Sequence, residues 1–291
     1  MTKRAINFIV LTFGLSWVLT IGFKLLGGKW NTELALVIAV IYMFCPLISV
    51  LILEKFFYHN QVKETCGINF KLNIWFVVGW ILPLIISFAS IPVAKLFPNV
   101  EISYSMETLF DRLKDTLSSQ QLEQLKQQIE SSPISFITFG VIQSLFAGAT
   151  INAVAAFGEE IGWRGFLYNE LSKKFNFWQT ALITGFIWGL WHMPLILQGH
   201  NYPKYPVLGS IWMIIFCVLY SPIFNFIRKK SGSVIATSIL HGTINATFGF
   251  SILFLKGGNE LIVGVLGVSG FIVLAIIDTI LLLLPKEVLE V

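Results

Sequence analysis

Eight apolar runs, each about 20 residues long, follow one another from end to end of this chain. They lie at about 6–26, 34–53, 74–94, 136–158, 177–198, 208–227, 234–255 and 261–284. A helix that crosses the hydrocarbon of a bilayer needs about 20 mostly apolar residues. Charged residues make up 12% of the chain, against about 25% in a soluble globule. In hydrocarbon every backbone N–H and C=O must bond internally, so only helices or closed barrels span. These runs are too long and too uniformly apolar for barrel strands. The expected fold class is all-α: a polytopic transmembrane helical bundle of about eight spans, one integral membrane domain over residues 1–291. Its first solvent is the lipid bilayer. The net charge of +4 gives no sign of nucleic-acid binding, because the basic residues sit between apolar runs. The three cysteines, Cys45, Cys66 and Cys217, have no disulfide or metal-binding spacing and read as small buried residues. The first run is long enough to span and has no Ala-x-Ala exit, so it is expected to stay as a helix.

Lys and Arg set the direction of insertion. With Lys3 and Arg4 inside, the inner loops carry Lys55, Lys63, Lys71, Lys173, Lys174, Arg228, Lys229, Lys230 and Lys286. The outer loops carry only Lys24, Lys29, Lys204 and Lys256. Both termini are expected to be cytoplasmic in a multi-pass protein of the cell membrane. One long connection, 95–133, is polar. In it Leu109, Phe110, Leu113 and Leu117 recur at helical spacing, as do Leu122, Leu125 and Ile129, and Ser118 with Gln121 suits a capping box. It reads as two amphipathic helices lying on the bilayer, or more sharply as a lid or substrate guide.

Ionisable groups inside apolar helices are costly and usually carry a function. Three such groups stand out. Glu159, Glu160 and Arg164 lie in a Gly-rich apolar stretch. On a helix Glu160 and Arg164, four apart, face each other, while Glu159 points about 100° away. Arg164 can therefore hold Glu160 and leave Glu159 free for chemistry. Gly158, Gly162 and Gly165 let other helices approach closely. His192 follows Trp188 and Trp191 and precedes Pro194, which cannot bond back to residue 190 and should kink the helix and free an acceptor. His241 and Asn245 share one helical face. Each group alone also suits a plain role: a charge cluster at a helix end, a packed histidine, a polar helix contact.

Together they allow two hydrolytic chemistries. In one, His192, His241 and Glu159 bind a metal, zinc being one candidate, with a position left for water. In the other no metal is used: a glutamate activates water, a histidine orients it, and the second histidine and the asparagine donate to the oxyanion. The zinc motif H-E-x-x-H is absent.

Glu159-Glu160-Ile161-Gly162-Trp163-Arg164, then Trp188-Gly189-Leu190-Trp191-His192, then His241-Gly242-Thr243-Ile244-Asn245 resemble, in order, the three motifs of the CPBP family. This is the CAAX prenyl-protease and bacteriocin-processing group of intramembrane endopeptidases, also called Abi. The resemblance covers roughly 140–250 and makes that stretch the expected catalytic core. It implies cleavage of peptide bonds in a membrane-associated peptide or protein, by a metallo- or glutamic-type mechanism. It implies Glu159 as water-activating base and Glu160 with Arg164 as its supporting pair. His192 would help activate water or bind metal, and His241 and Asn245 would bind the oxyanion, or His241 a metal. One departure is Trp188, where the family usually has Phe; an aromatic is kept, so pocket shape rather than chemistry is the expected difference.

The apolar runs pose a difficulty. They put Glu159 near the inner end of its helix and His192 about 22 Å along the next, at 1.5 Å per residue. A shared site needs the Glu159 helix to run nearer 144–170, and a Pro194 kink that turns His192 inward. Outside the motifs, Asp278 reads as a helix-packing acid, and His59 and His200 as surface residues, His200 beside Asn201 and Pro203. Trp30, Trp75, Trp178 and Trp212 suit the bilayer interfaces; Trp163, Trp188 and Trp191 suit a cavity wall. Two other functions compete with an endopeptidase. One is a non-catalytic membrane scaffold or immunity protein on the same fold, against which every catalytic-type residue is present. The other is a transporter, which the lack of an internal repeat disfavours.

Overall fold

A computed structural model describes residues 1–30, 32–103, 109–110 and 119–289. The expected helical positions Leu113 and Leu117 and the cap Ser118 lie outside the described residues. Helix α1 is Lys3–Leu25, capped by the Thr2 hydroxyl. Helix α2, Glu33–Ile52, capped by Thr32, continues through a π-helical turn, Leu53–Phe57. Helix α3 is Ile74–Ala94, capped by Asn73. Thr and Asn at these starts satisfy first-turn N–H groups that lipid could not. A polar helix α4, Ser119–Ser131, meets α5, Pro133–Ala149, at a bend of 105°. Helix α6, Ile151–Glu160, runs on through a long π-helical stretch, Ile161–Leu167, and a last turn, Tyr168–Ser172. Helices α7 (Phe177–Trp191), α8 (Pro206–Ser231), α9 (Val234–Thr247) and α10 (Val268–Leu282) complete the bundle.

The fold is an all-α polytopic bundle, but the spans differ from those expected. Among the described residues four helices are long and apolar enough to cross a bilayer: Lys3–Leu25, Glu33–Phe57, Ile74–Ala94 and Pro206–Ser231. The bent α4–α5 pair makes a fifth if it is one span. The other expected runs are helical but broken. The 136–158 run divides at Thr150, whose backbone (φ −120°, ψ −95°) is not helical. The 177–198 run ends α7 at Trp191, just before Pro194, and restarts as Met193–Ile196. The 234–255 run gives way after Thr247, near Gly249. The last run becomes helical only at Val268, after a loop that turns through Gly264 at φ 87°.

Two short strands, unforeseen in the sequence, join the polar connection to the chain after α9. Strand β1 (Val100–Ile102) pairs antiparallel with β2 (Leu255–Gly257), Val100 opposite Gly257. The connection also docks on the bundle: Leu109, Phe110, Leu125 and Ile129 pack against Phe250 and Phe254.

Helix α9 sits centrally, against α3, α5 and α6; α7 lies along α8, and α2 along α6. Small residues set these contacts. A Cβ on Gly158 would stand 2.7 Å from the Met43 carbonyl, and one on Gly162 2.6 Å from Pro46. The loops with the inner-loop Lys and Arg residues gather at one end of the bundle. There Arg4 pairs with Glu54 and Glu170, Lys173 with Glu170 at 2.5 Å, Asn169 donates to the Thr65 carbonyl, and Val234 N–H to the Gly67 carbonyl.

Candidate active site

The continuation of the Glu159 helix to Ser172 settles the depth problem. Because the Glu159 helix runs from Ile151 to Ser172, Glu159 stands 13 residues from the α6–α7 turn. His192 stands 15 residues beyond Phe177. The two helices are antiparallel neighbours, so the residues are at about the same depth, roughly 20 Å from the turn at 1.5 Å per residue. Contact confirms it: Trp188 Nε1–H donates to Glu159 Oε2 at 2.8 Å, and the Trp188 ring lies 5.6 Å from that of His192.

Glu160 takes the structural position read from its spacing. Its Oε1 accepts from Arg164 Nη1 at 3.1 Å. The same oxygen faces His241 Nδ1 at 2.9 Å, which ties α6 to α9. Arg164 Nη2 donates to Ser221 Oγ on α8 at 3.0 Å. Its guanidinium lies over Trp188 (4.3 Å) and Phe224 (3.9 Å). Arg164 and Glu160 are fully buried and Glu159 almost so. A buried charge tolerates this only when paired and hydrogen-bonded; here one cation bridges a carboxylate, a hydroxyl and two aromatic faces.

His192 is held by the helix end that Pro194 imposes. Its N–H turns to the Gly189 carbonyl, and the Trp188 carbonyl accepts from His192 Nδ1–H at 2.8 Å. A carbonyl only accepts, so the proton is on Nδ1 and Nε2 is left for another partner. The Trp191 carbonyl accepts from Trp17 Nε1 (3.2 Å) and from the Tyr42 hydroxyl, while Trp191 Nε1 donates to Ser16 Oγ (2.8 Å). Helices α1 and α2 thus clamp the His192 turn. No motif in the N-terminal half signals Ser16, Trp17 or Tyr42.

A cavity of about 280 Å³ gathers the motif residues: Glu159, Trp188, His192, His241 and Asn245 all line it. Asn245 is exposed to it, one turn beyond His241. Trp191 also lines the wall, whereas Trp163 packs behind it, 5.5 Å from Trp191 and against Phe8. His200, read from sequence as a surface residue, lines this cavity too, its ring 5.4 Å from that of Trp30. Burial pushes its imidazole down to about 4, so it is neutral at pH 7. Arg164 and Glu160 form the floor behind the wall and do not line the cavity.

Among the described residues, no three His, Cys, Asp or Glu side chains stand together as ligands of one ion. Glu159 is engaged by Trp188, and Glu160 by Arg164 and His241. The arrangement does not match the His192, His241 and Glu159 ligand set.

Residues 133–247, which hold all three motifs, match the family model of Rce1-like type II CAAX prenyl endopeptidases. This segment is similar to that family of endopeptidases. A CAAX prenyl protease 2 of Methanococcus maripaludis is 33% identical to the chain over 98 residues, 32% of this chain and 36% of that protein. The matched part thus spans about a third of the relative's length. The matched segment contains α5, α6, α7, α8 and α9, among them every helix that brings a motif residue to the cavity.

Proposed function

We propose that this protein is an intramembrane endopeptidase that cleaves a membrane-associated peptide or protein with water activated by Glu159. The observation that carries the reading is the single cavity into which Glu159, His192, His241 and Asn245 all open. Trp188 holds one oxygen of Glu159 and leaves the other for a water in the cavity. Glu159 takes a proton from that water as the oxygen attacks the scissile carbonyl carbon. His192 Nε2 accepts from the water's other O–H and fixes its direction. The carbonyl oxygen becomes an oxyanion between His241 Nε2–H and the Asn245 amide. Glu160 accepts from His241 Nδ1–H and so fixes the ring that donates to the oxyanion. Glu159 then returns its proton to the leaving amine as the C–N bond breaks.

The likeness of residues 133–247 to Rce1-like endopeptidases and the CAAX protease relative support this peptide-hydrolase reading. The substrate class is a peptide segment presented at the bilayer, prenylated only in cells that prenylate. The basic bundle end supports a cytoplasmic placement of both termini in the cell membrane. The test is cleavage of a lipid-tethered peptide in proteoliposomes. Glu159→Gln should lower kcat by about 10²–10⁴-fold, the usual worth of a general base. Wild-type activity should survive metal chelation, with no stoichiometric metal in the purified protein. A Glu159→Gln protein that cleaves at the wild-type rate would overturn the assignment.

A further inference from the structure

The turn after α7 adds a second polar station to the cavity that the three motifs do not account for. His200 and Asn201 both line it, beside Leu195, Met213, Phe216 and Leu266. Among the described residues, no protein group hydrogen-bonds the ring nitrogens of His200 or the side-chain amide of Asn201. The station is built, not loose. Tyr202, next in sequence, is fully buried and donates to the Leu266 carbonyl at 2.7 Å. Glu260 Oε1 accepts from the backbone N–H groups of Lys204 (2.8 Å) and Tyr205 (3.1 Å). Trp30 packs on the His200 ring and fixes its plane. The backbone is left-handed at Gly199 (φ 95°) and at Asn201 (φ 60°). Such a conformation costs a non-glycine residue free energy, least for Asn, and is often kept where it aims a side chain.

We propose that His200 and Asn201 form a subsite that hydrogen-bonds the polypeptide backbone of the substrate beside the scissile bond. The proposal rests on the endopeptidase reading above. The cavity joins this station to Glu159 and His241, and at about 280 Å³ it is close to the lower end of known ligand cavities, about 300 Å³. An extended peptide carries a donor and an acceptor at each residue. A neutral imidazole and an amide, each offering both, match that pattern without demanding a particular side chain. The subsite would confer grip on the chain rather than sequence preference.

The test uses two conservative variants of the full-length protein. His200→Phe keeps a ring against Trp30 without its nitrogens. Asn201→Gly keeps the left-handed backbone without the amide. With a lipid-tethered peptide that the wild-type protein cleaves, each variant should raise KM about five-fold, the worth of roughly one hydrogen bond, and leave kcat within two-fold. The same peptide with its scissile amide reduced reports equilibrium binding, and its Kd should rise by the same factor. Unchanged KM and Kd in both variants would overturn the subsite, while loss of cleavage in Glu159→Gln would still uphold the protease. A fall in kcat at constant Kd would also overturn it, because the residues would then act on the chemistry. Should His200→Phe fail to fold, Asn201→Gly decides alone. The reduced peptide decides even if Glu159→Gln retains cleavage.

Discussion

At the scale of single residues, Trp188 is where sequence and structure diverge most usefully. Replacement of the family's usual Phe reads, in sequence, as a change of shape. In the folded chain it is a change of chemistry, because the indole N–H donates to Glu159 and a phenyl ring could not. The same residue offers its carbonyl to His192, so its side chain holds the proposed base and its backbone holds the water-orienting imidazole. We expect Trp188→Phe to fold, since the new ring keeps most of the contact with Arg164, Phe224 and His241. Steady-state kinetics should show kcat reduced about ten-fold at similar KM, the loss of one hydrogen bond that orients the base. An unchanged kcat would show that Glu159 needs no such hold. The Glu160–Arg164 pair was legible because helical geometry fixes it at four residues' spacing. Ser221 and Tyr42 were not: a lone hydroxyl in an apolar helix looks the same whether it serves a site or bonds its own backbone.

At the scale of elements, close approach governs the site. Gly242 follows His241 and faces the break between α5 and α6. A Cβ there would meet the Gly148 carbonyl at 2.3 Å and Ala153 N at 2.5 Å, and neither backbone atom can yield. Gly242→Ala should push α9 away from α6 and lengthen the Glu160–His241 contact. Overpacking of this kind costs about 1–3 kcal/mol. Thermal unfolding in detergent and peptide cleavage should both report the loss. Gly22→Ala, with nothing within 4 Å of its new Cβ, supplies the control and should unfold no earlier than wild type. The apolar runs located the long apolar helices but not where each one stops. Hydropathy is blind to the torsion at Thr150, and it ends the run at 158, whereas the helix continues to Ser172 and so brings Glu159 level with His192. Pro194 was readable as a stop because its missing N–H acts locally. The β1–β2 pair could not be foreseen, since three-residue strands far apart in sequence carry too little pattern.

At the scale of the whole molecule, the distribution of charge and the folded arrangement agree. Loops separated by more than 200 residues, from Lys3 to Arg228, converge on one end of the bundle. His200 and Glu260 lie toward the other end, with β1 and β2. This arrangement predicts sidedness. Single cysteines at Lys55 and Lys174 should react with an impermeant maleimide only from the cytoplasmic face, in inverted vesicles. A cysteine at Lys204 should react only from the opposite face, in intact cells. Labelling of Lys55 and Lys204 variants from the same side would refute the orientation. Fold class was legible at this scale because a bilayer permits so few solutions. The number of full-length spans was not, since half the runs are interrupted.

The seven-residue π-helical stretch between Glu160 and Tyr168 acts as a phase setter. Wider turns take up extra residues, and that alters the angle at which the helix above meets the helix below. Below it, Asn169 and Glu170 are fastened to the basic end. Above it, Glu159 looks into the cavity while Glu160 braces His241 behind its wall. Shortening this stretch by one residue would rotate Glu159 by about 100° about the helix axis while its anchors stayed in place. The aim of the carboxylates thus depends on chain length as well as on side-chain identity.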